Sequence, residues 1–155
     1  GAARRLELLG KNDNVAVYKD FAHSPSKLKA TTQAVRTQFP DRKLIACMEL
    51  HTFSSLNEDF LSQYAGSMSG ADVKIVYFNP HTIAHKKLKE ITPEMVKIAF
   101  SDKDIKVYTD SAILQKDLQS FVHGKRVFLM MSSGTFDGMN LENLTSQLCQ
   151  SLIKI

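Results

Sequence analysis

The sequence predicts a three-layer α/β domain with a mostly parallel sheet of about six strands and one antiparallel strand at its amino-terminal edge. Nearly continuous apolar runs at residues 43–48, 73–78 and 126–131 have the character of strands buried on both faces. Segments with apolar residues at helical spacing separate these runs, as parallel crossovers require. Near the start, two short apolar runs flank Gly10-Lys11-Asn12-Asp13-Asn14, and strands joined by so short a turn pair antiparallel. Together these features mark one Rossmann-like domain, and 155 residues suffice for a full core.

Taken in order, residues 6–9 form the first strand and residues 15–18 the second. Asp20-Phe21-Ala22-His23-Ser24-Pro25 is a strand-to-helix turn, with Ser24 as N-cap and Pro25 at the first helical position. The helix at 26–39 carries Leu28, Val35 and Phe39 on one face, with Ala30 and Ala34 nearby, and Pro40 ends it. Strand 43–48 leads into a polar loop at 49–55. A helix at about 56–68 then turns Leu56, Phe60, Leu61 and Tyr64 inward, with Gly66 and Gly70 at its end. Strand 73–78 stops at Asn79-Pro80-His81. Residues 81–89 read equally as a short helix or a loop.

Thr92-Pro93 opens a helix at 93–100, and residues 105–108 form a short strand. Asp110 or Thr109 caps a helix whose inner face is Leu114, Leu118, Phe121 and Val122, closed by His123-Gly124. Strand 126–131 follows, then a loop at 132–138. Asn140 caps a last helix with Leu141, Leu144, Leu148 and Leu152 at helical spacing.

Charge and composition narrow the function. The net charge of +4 is spread along the chain, which excludes the profile of a dedicated nucleic-acid binder. The densest cluster, Lys86-Lys87-Leu88-Lys89, reads as a solvated helix face. Cys47 and Cys149 lack metal or redox spacing and read as small core residues. No stretch reaches the about 18 apolar residues of a membrane span, and no signal peptide is seen. A reduced, cytoplasmic setting is expected. The start, Gly1-Ala2-Ala3-Arg4-Arg5, lacks Met and suggests a domain of a longer chain.

In open α/β sheets, ligands bind where loops leave the carboxyl ends of the strands. Three loops should meet there, at residues 20–25, 49–55 and 132–138. Asp20 suits ribose hydroxyls, and His23 suits a phosphate or a base edge. The amides of the helix start attract anions. The same residues also read as ordinary capping chemistry. His23, His51 and Glu49 lack HxxxH or CxxC spacing, so no metal site is expected. Ser132-Ser133-Gly134 is not a nucleophile elbow, and Gly134 and Gly138 suit a tight turn. Neither a P-loop nor a G-x-G-x-x-G occurs, so no triphosphate cradle is present.

Four stretches resemble, in order, the carboxyl-terminal domain of the Mur ligases, the ATP-dependent enzymes that join amino acids or peptides to UDP-N-acetylmuramate. Arg4-Arg5-Leu6-Glu7 is similar to the basic pair that opens that domain. Residues 20–25 match the family's D-[YF]-[AG]-H-x-P, with Ser24 where a second His is common. Glu49-Leu50-His51-Thr52-Phe53-Ser54 lies where the family has its second substrate-facing loop. Met131-Ser132-Ser133-Gly134-Thr135-Phe136-Asp137-Gly138 resembles the last sheet loop of the murein peptide ligase branch. The alanine-adding branch usually has Arg after the His of the second loop, where Thr52 stands here.

The resemblance implies acyl-phosphate chemistry. ATP phosphorylates the muramyl carboxylate, and an amine then displaces phosphate. The P-loop and the Mg2+ ligands would lie in a central domain, and the UDP-sugar site in an amino-terminal one, both outside this chain. Arg5 would reach the ATP phosphates as the catalytic cation. Asp20, His23 and Ser24 would line the nucleotide pocket. His51, Thr52, Ser54, Ser132, Ser133 and Phe136 would face the amine, either a murein tripeptide or L-alanine. The chain alone would hold no cofactor and turn nothing over. The rival expectations are a stand-alone α/β module that binds a phosphorylated ligand, and a complete small hydrolase. The missing nucleophile motif weighs against the hydrolase.

Overall fold

The computed structural model describes residues 6–150. One six-stranded sheet runs through them in the order β1-β2-β6-β3-β4-β5. The strands are β1 (Glu7–Lys11), β2 (Val15–Asp20), β3 (Lys43–Leu50), β4 (Val73–Phe78), β5 (Lys106–Tyr108) and β6 (Arg126–Met131). The helices are α1 (Pro25–Gln38), α2 (Glu58–Leu61), α3 (Pro80–His85), α4 (Pro93–Phe100), α5 (Ser111–Leu118) and α6 (Leu141–Gln150). Only β1 is antiparallel, and the other pairings are parallel. The expected α/β sheet with an antiparallel amino-terminal edge is therefore what forms.

Strand pleating explains the two-sided core. Along β3, Leu44, Ala46 and Met48 enter one hydrophobic cluster, while Ile45 and Cys47 enter the other. The first cluster packs under α1 and α4 through Leu28, Val35, Val96 and Phe100. The second packs under α5 and α6 through Leu114, Leu118, Leu144 and Leu148. Cys47 is a buried free thiol, and burial pushes its pKa up, as the core reading expects.

Several boundaries differ from expectation, among them β2, which runs two residues further, through Asp20. β1 runs on through Gly10 and Lys11, because a bulge between Leu8 and Gly10 resets its register against β2. Gly10 is needed there: a Cβ would stand 2.7 Å from Thr145 Cγ2 on α6. The turn itself is held by Asn12, whose Oδ1 accepts from the Asn14 and Val15 amides at 2.8 Å each. In α1, Thr32 fills the inner face beside Leu28 and Val35, while Ala30 and Ala34 are exposed. β3 includes Glu49 and Leu50, which the sequence suggested as loop.

The expected helix at 56–68 is instead the short α2, capped by Asn57, a 3-10 turn Ser62–Tyr64 and further turns. Leu56, Leu61, Tyr64 and Met68 are nonetheless buried as their spacing implied, and Gly66 adopts φ 75° in the turn. α5 ends at Leu118, before Phe121 and Val122. Residues 81–89 resolve as α3, capped by Asn79, followed by turn. Leu152 and the Arg4-Arg5 pair lie outside the described residues.

Two surface carboxylates set an acid limit. Asp102 lies below the usual range, chiefly because Lys74 donates to it, against the opposing effect of burial. At Asp72, burial is the largest influence and pushes up, but the Leu44 amide and Arg36 together outweigh it and lower the pKa. A depressed native pKa stabilises above the unfolded value of about 4, and that stability is lost as pH falls through the native values. Urea unfolding should therefore show stability dropping below about pH 4. The drop should be smaller in an Asp72→Asn/Asp102→Asn variant; an equal drop would assign the acid limit elsewhere.

Candidate functional site

Strand register brings the three loops to one edge. Asp20 pairs with Met131, and Met131 with Met48, so β2 and β6 end level with each other and β3 runs two residues further at the same edge. The loop after β2 opens on Asp20, which is buried. Its Oδ2 accepts from the Ala22 amide at 2.9 Å and from Thr31 Oγ1 at 3.1 Å. His23 Nδ1 lies 3.1 Å from the Phe21 carbonyl. Tyr64 donates from its hydroxyl to the His23 carbonyl at 2.6 Å, and burial pushes this phenol up to about 12. Ser24 holds the N-cap position with extended backbone, but its side chain makes no capping hydrogen bond.

The second and third loops are joined by Glu49. Pleating turns this side chain to the same face as Cys47, toward the β6 loop. Only 3% exposed, its Oε1 accepts from Ser132 Oγ at 2.6 Å and from the Phe136 amide at 2.9 Å. Its Oε2 lies 3.7 Å from His51 Nδ1. Ser132 Oγ also accepts from the Gly134 amide at 2.7 Å. The His51 ring lies over Gly134 so closely that a Cβ there would meet ring atoms at 2.8 Å. One carboxylate thus orders the β6 loop and holds a half-exposed imidazole against it.

The remaining predicted residues fall into two groups. Thr52 folds its own loop, donating from Oγ1 to Ser55 Oγ at 3.0 Å and accepting from the Ser55 amide at 3.2 Å. Ser54 is exposed on that loop. Ser133 Oγ is buried and has no hydrogen-bond partner among the described residues. Phe136 sits at φ 51° with its ring buried against Tyr77, at 6.3 Å between centroids. Its side chain is therefore a core group that anchors the loop. Burial pushes the Tyr77 phenol up to about 12, helped by Asp137 and Glu49. Arg5 lies outside the described residues.

A cleft of about 850 Å³ opens along this edge. Asp20, Phe21, Ser132, Gly134, Thr135 and Glu142 are among its walls. His51, Thr52 and Ser54 are not, although Gly134 joins the two regions. No three potential ligands among the described residues gather around a metal position. No helix among the described residues is long and apolar enough to cross a membrane. Glu49 is the residue sequence reasoning underrated. Its signal was a single carboxylate closing an otherwise apolar strand, two residues before a His.

The family model described as the Mur ligase glutamate ligase domain matches residues 4–134. UDP-N-acetylmuramate–L-alanine ligase of Desulfitobacterium hafniense is 34% identical over 76 residues, covering 49% of this chain and 17% of the relative. The murein peptide ligase of Psychrobacter arcticus superposes with a TM-score of 0.67 at 23% identity, over 98% of this chain and 30% of that one. A Haemophilus ducreyi domain, described as part of a UDP-N-acetylmuramate:L-alanyl-γ-D-glutamyl-meso-diaminopimelate ligase, superposes at 0.60 with 22% identity, over 96% of this chain and 99% of that one. The chain thus spans less than a third of the full-length proteins it matches here. With the family model covering most of its length and the same fold in the solved domains, this chain belongs to the Mur ligase family as its carboxyl-terminal, glutamate ligase domain.

Proposed function

We propose that this domain closes over the active site of an ATP-dependent amide ligase that acts in the cytoplasm on UDP-N-acetylmuramate in peptidoglycan recycling, with a murein tripeptide as the amine. The observation that carries this reading is the cleft at the carboxyl edge, walled by Asp20 and Ser132 from two different loops. ATP fits in part. Asp20 Oδ1 has no hydrogen bond among the described residues and suits a ribose hydroxyl, while Oδ2 braces the turn. His23 and Ser24 border the same turn, and Arg5 would reach the phosphates. Mg2+, which one or two carboxylates and the nucleotide's own phosphates suffice to hold, would be bound mainly by the enzyme's central domain. The unpartnered Ser133 Oγ, with Ser132, His51, Thr52 and Ser54, supports an amine-facing wall that Phe136 anchors from below. Closure would join these residues to the enzyme's own amino-terminal and central domains.

A second reading, the L-alanine-adding ligase, is favoured by the names of the curated relatives. Ligation assays on the full-length parent separate the two. Product with L-alanyl-γ-D-glutamyl-meso-diaminopimelate alone supports recycling, and product with L-alanine alone supports the second reading. The isolated chain is expected to form no amide. Asp20→Asn keeps an acceptor for Ala22 and Thr31, and in the parent it should cut kcat/KM for ATP by about 10- to 100-fold, the worth of one charged hydrogen bond. An unchanged kcat/KM would remove Asp20 from the nucleotide site.

A further inference from the structure

We infer that His51, held by Glu49, is the base that takes a proton from the incoming amine. The inference rests on the ligase reading above and deepens it. A primary amine reaches neutral solution as an ammonium, which has no lone pair to attack with. Something at the amine-facing wall must remove one proton first.

The geometry for this is on the second and third loops. Glu49 Oε2 lies 3.7 Å from His51 Nδ1, just beyond hydrogen-bond reach; closing that gap when substrate binds would hold the ring proton on Nδ1 and leave the Nε2 lone pair free. Proton-transfer contacts are commonly this long before substrate arrives. Glu49 is itself fixed, because its other oxygen accepts two hydrogen bonds from the β6 loop. The ring cannot swing inward, since Gly134 lies directly beneath it. With a side chain 43% exposed and no hydrogen bond to Nε2 among the described residues, the ring is open to a ligand. Among the described residues, His51 has a carboxylate partner within ion-pair distance, whereas the His23 ring turns to a backbone carbonyl.

Nε2 takes one proton from the ammonium. The amine nitrogen attacks the acyl-phosphate carbonyl, the C–N bond forms and the C–O bond to phosphate breaks. The second nitrogen proton leaves with the phosphate, and the imidazolium returns its proton to water. Glu49 touches no reacting atom and is a positioning residue.

Hydroxylamine provides the test, because it is unprotonated at neutral pH and traps an acyl phosphate without a base. In the full-length parent, His51→Gln should lower kcat for amide formation by about 100-fold or more. Hydroxamate formation from UDP-N-acetylmuramate and ATP should stay within about twofold of wild type, since it bypasses the base. Glu49→Gln, which keeps an acceptor for Ser132 and Phe136, should lower amide kcat by about tenfold and also spare the hydroxamate. Equal loss of both products in His51→Gln would overturn the proposal and make the ring a binding or structural group. Absence of amide from the wild-type parent with either amine would overturn the ligase reading, and the proposal with it.

Discussion

Glu49→Ala is expected to lower the unfolding free energy by about 2–5 kcal/mol, the consequence of leaving two buried donors without their acceptor. Two donors lose their acceptor, Ser132 Oγ and the Phe136 amide, and both sit in buried surroundings. Each unsatisfied donor costs about 1–3 kcal/mol. Relief from burying the carboxylate works the other way, but it cannot restore partners that nothing else in the loop provides. Phe136 adds to the loss, since its positive φ is held by the same hydrogen bond. Glu49→Gln isolates the cause. It retains an acceptor at the same place, so its loss should be about 1 kcal/mol. Urea midpoints of the two variants check this, and equal losses would show that charge, and not the acceptor, holds the loop.

Phe128→Ala should cost a similar amount, about 3–5 kcal/mol, by a different route. Phe128 is fully buried in β6, with Val17 and Ile45 as its partners on either side. Truncation removes a ring from the second cluster and leaves a cavity that three parallel strands are too regular to close. Against a typical domain stability of about 5–15 kcal/mol, that is a large share. The denaturant midpoint should fall while the slope stays constant. The contrasting variant is Ile98→Ala, on an exposed position of α4, where the change should stay within about 0.5 kcal/mol. A small loss at Phe128 would mean that the core around β6 relaxes freely.

These two residues also show what could be read from the chain. Phe128 belongs to an apolar run bounded by Gly124 and Ser132, and β6 occupies the whole of that run. β4 and α4 were equally legible, because Asn79-Pro80 and Thr92-Pro93 punctuate them. Glu49 was not legible, because its donors lie 83 and 87 residues away and no local pattern announces them. A carboxylate reads locally as loop, so β3 appeared two residues too short. Residues 56–68 misled differently. Their apolar spacing reported burial correctly, but Ser67 and Ser69 bond to residues three back, which tightens the chain into turns. Among the site residues, the turn at Asp20 was readable from its capping chemistry, while the packing of His51 on Gly134 depends on a crossover that only the folded sheet supplies.

The place of β6 in the sheet bears on how the domain is made. Among the described residues it is the last strand in sequence, yet it lies between β2 and β3, which do not pair with each other. Until residues 126–131 leave the ribosome, the nascent chain holds a hairpin and a three-stranded fragment with no shared strand edge. Each exposes a row of unpaired amides and carbonyls that β6 later covers from both sides. The domain therefore cannot fold progressively from its amino end. It must wait for β6, and the two waiting edges are where chaperones, or another nascent copy, would find it.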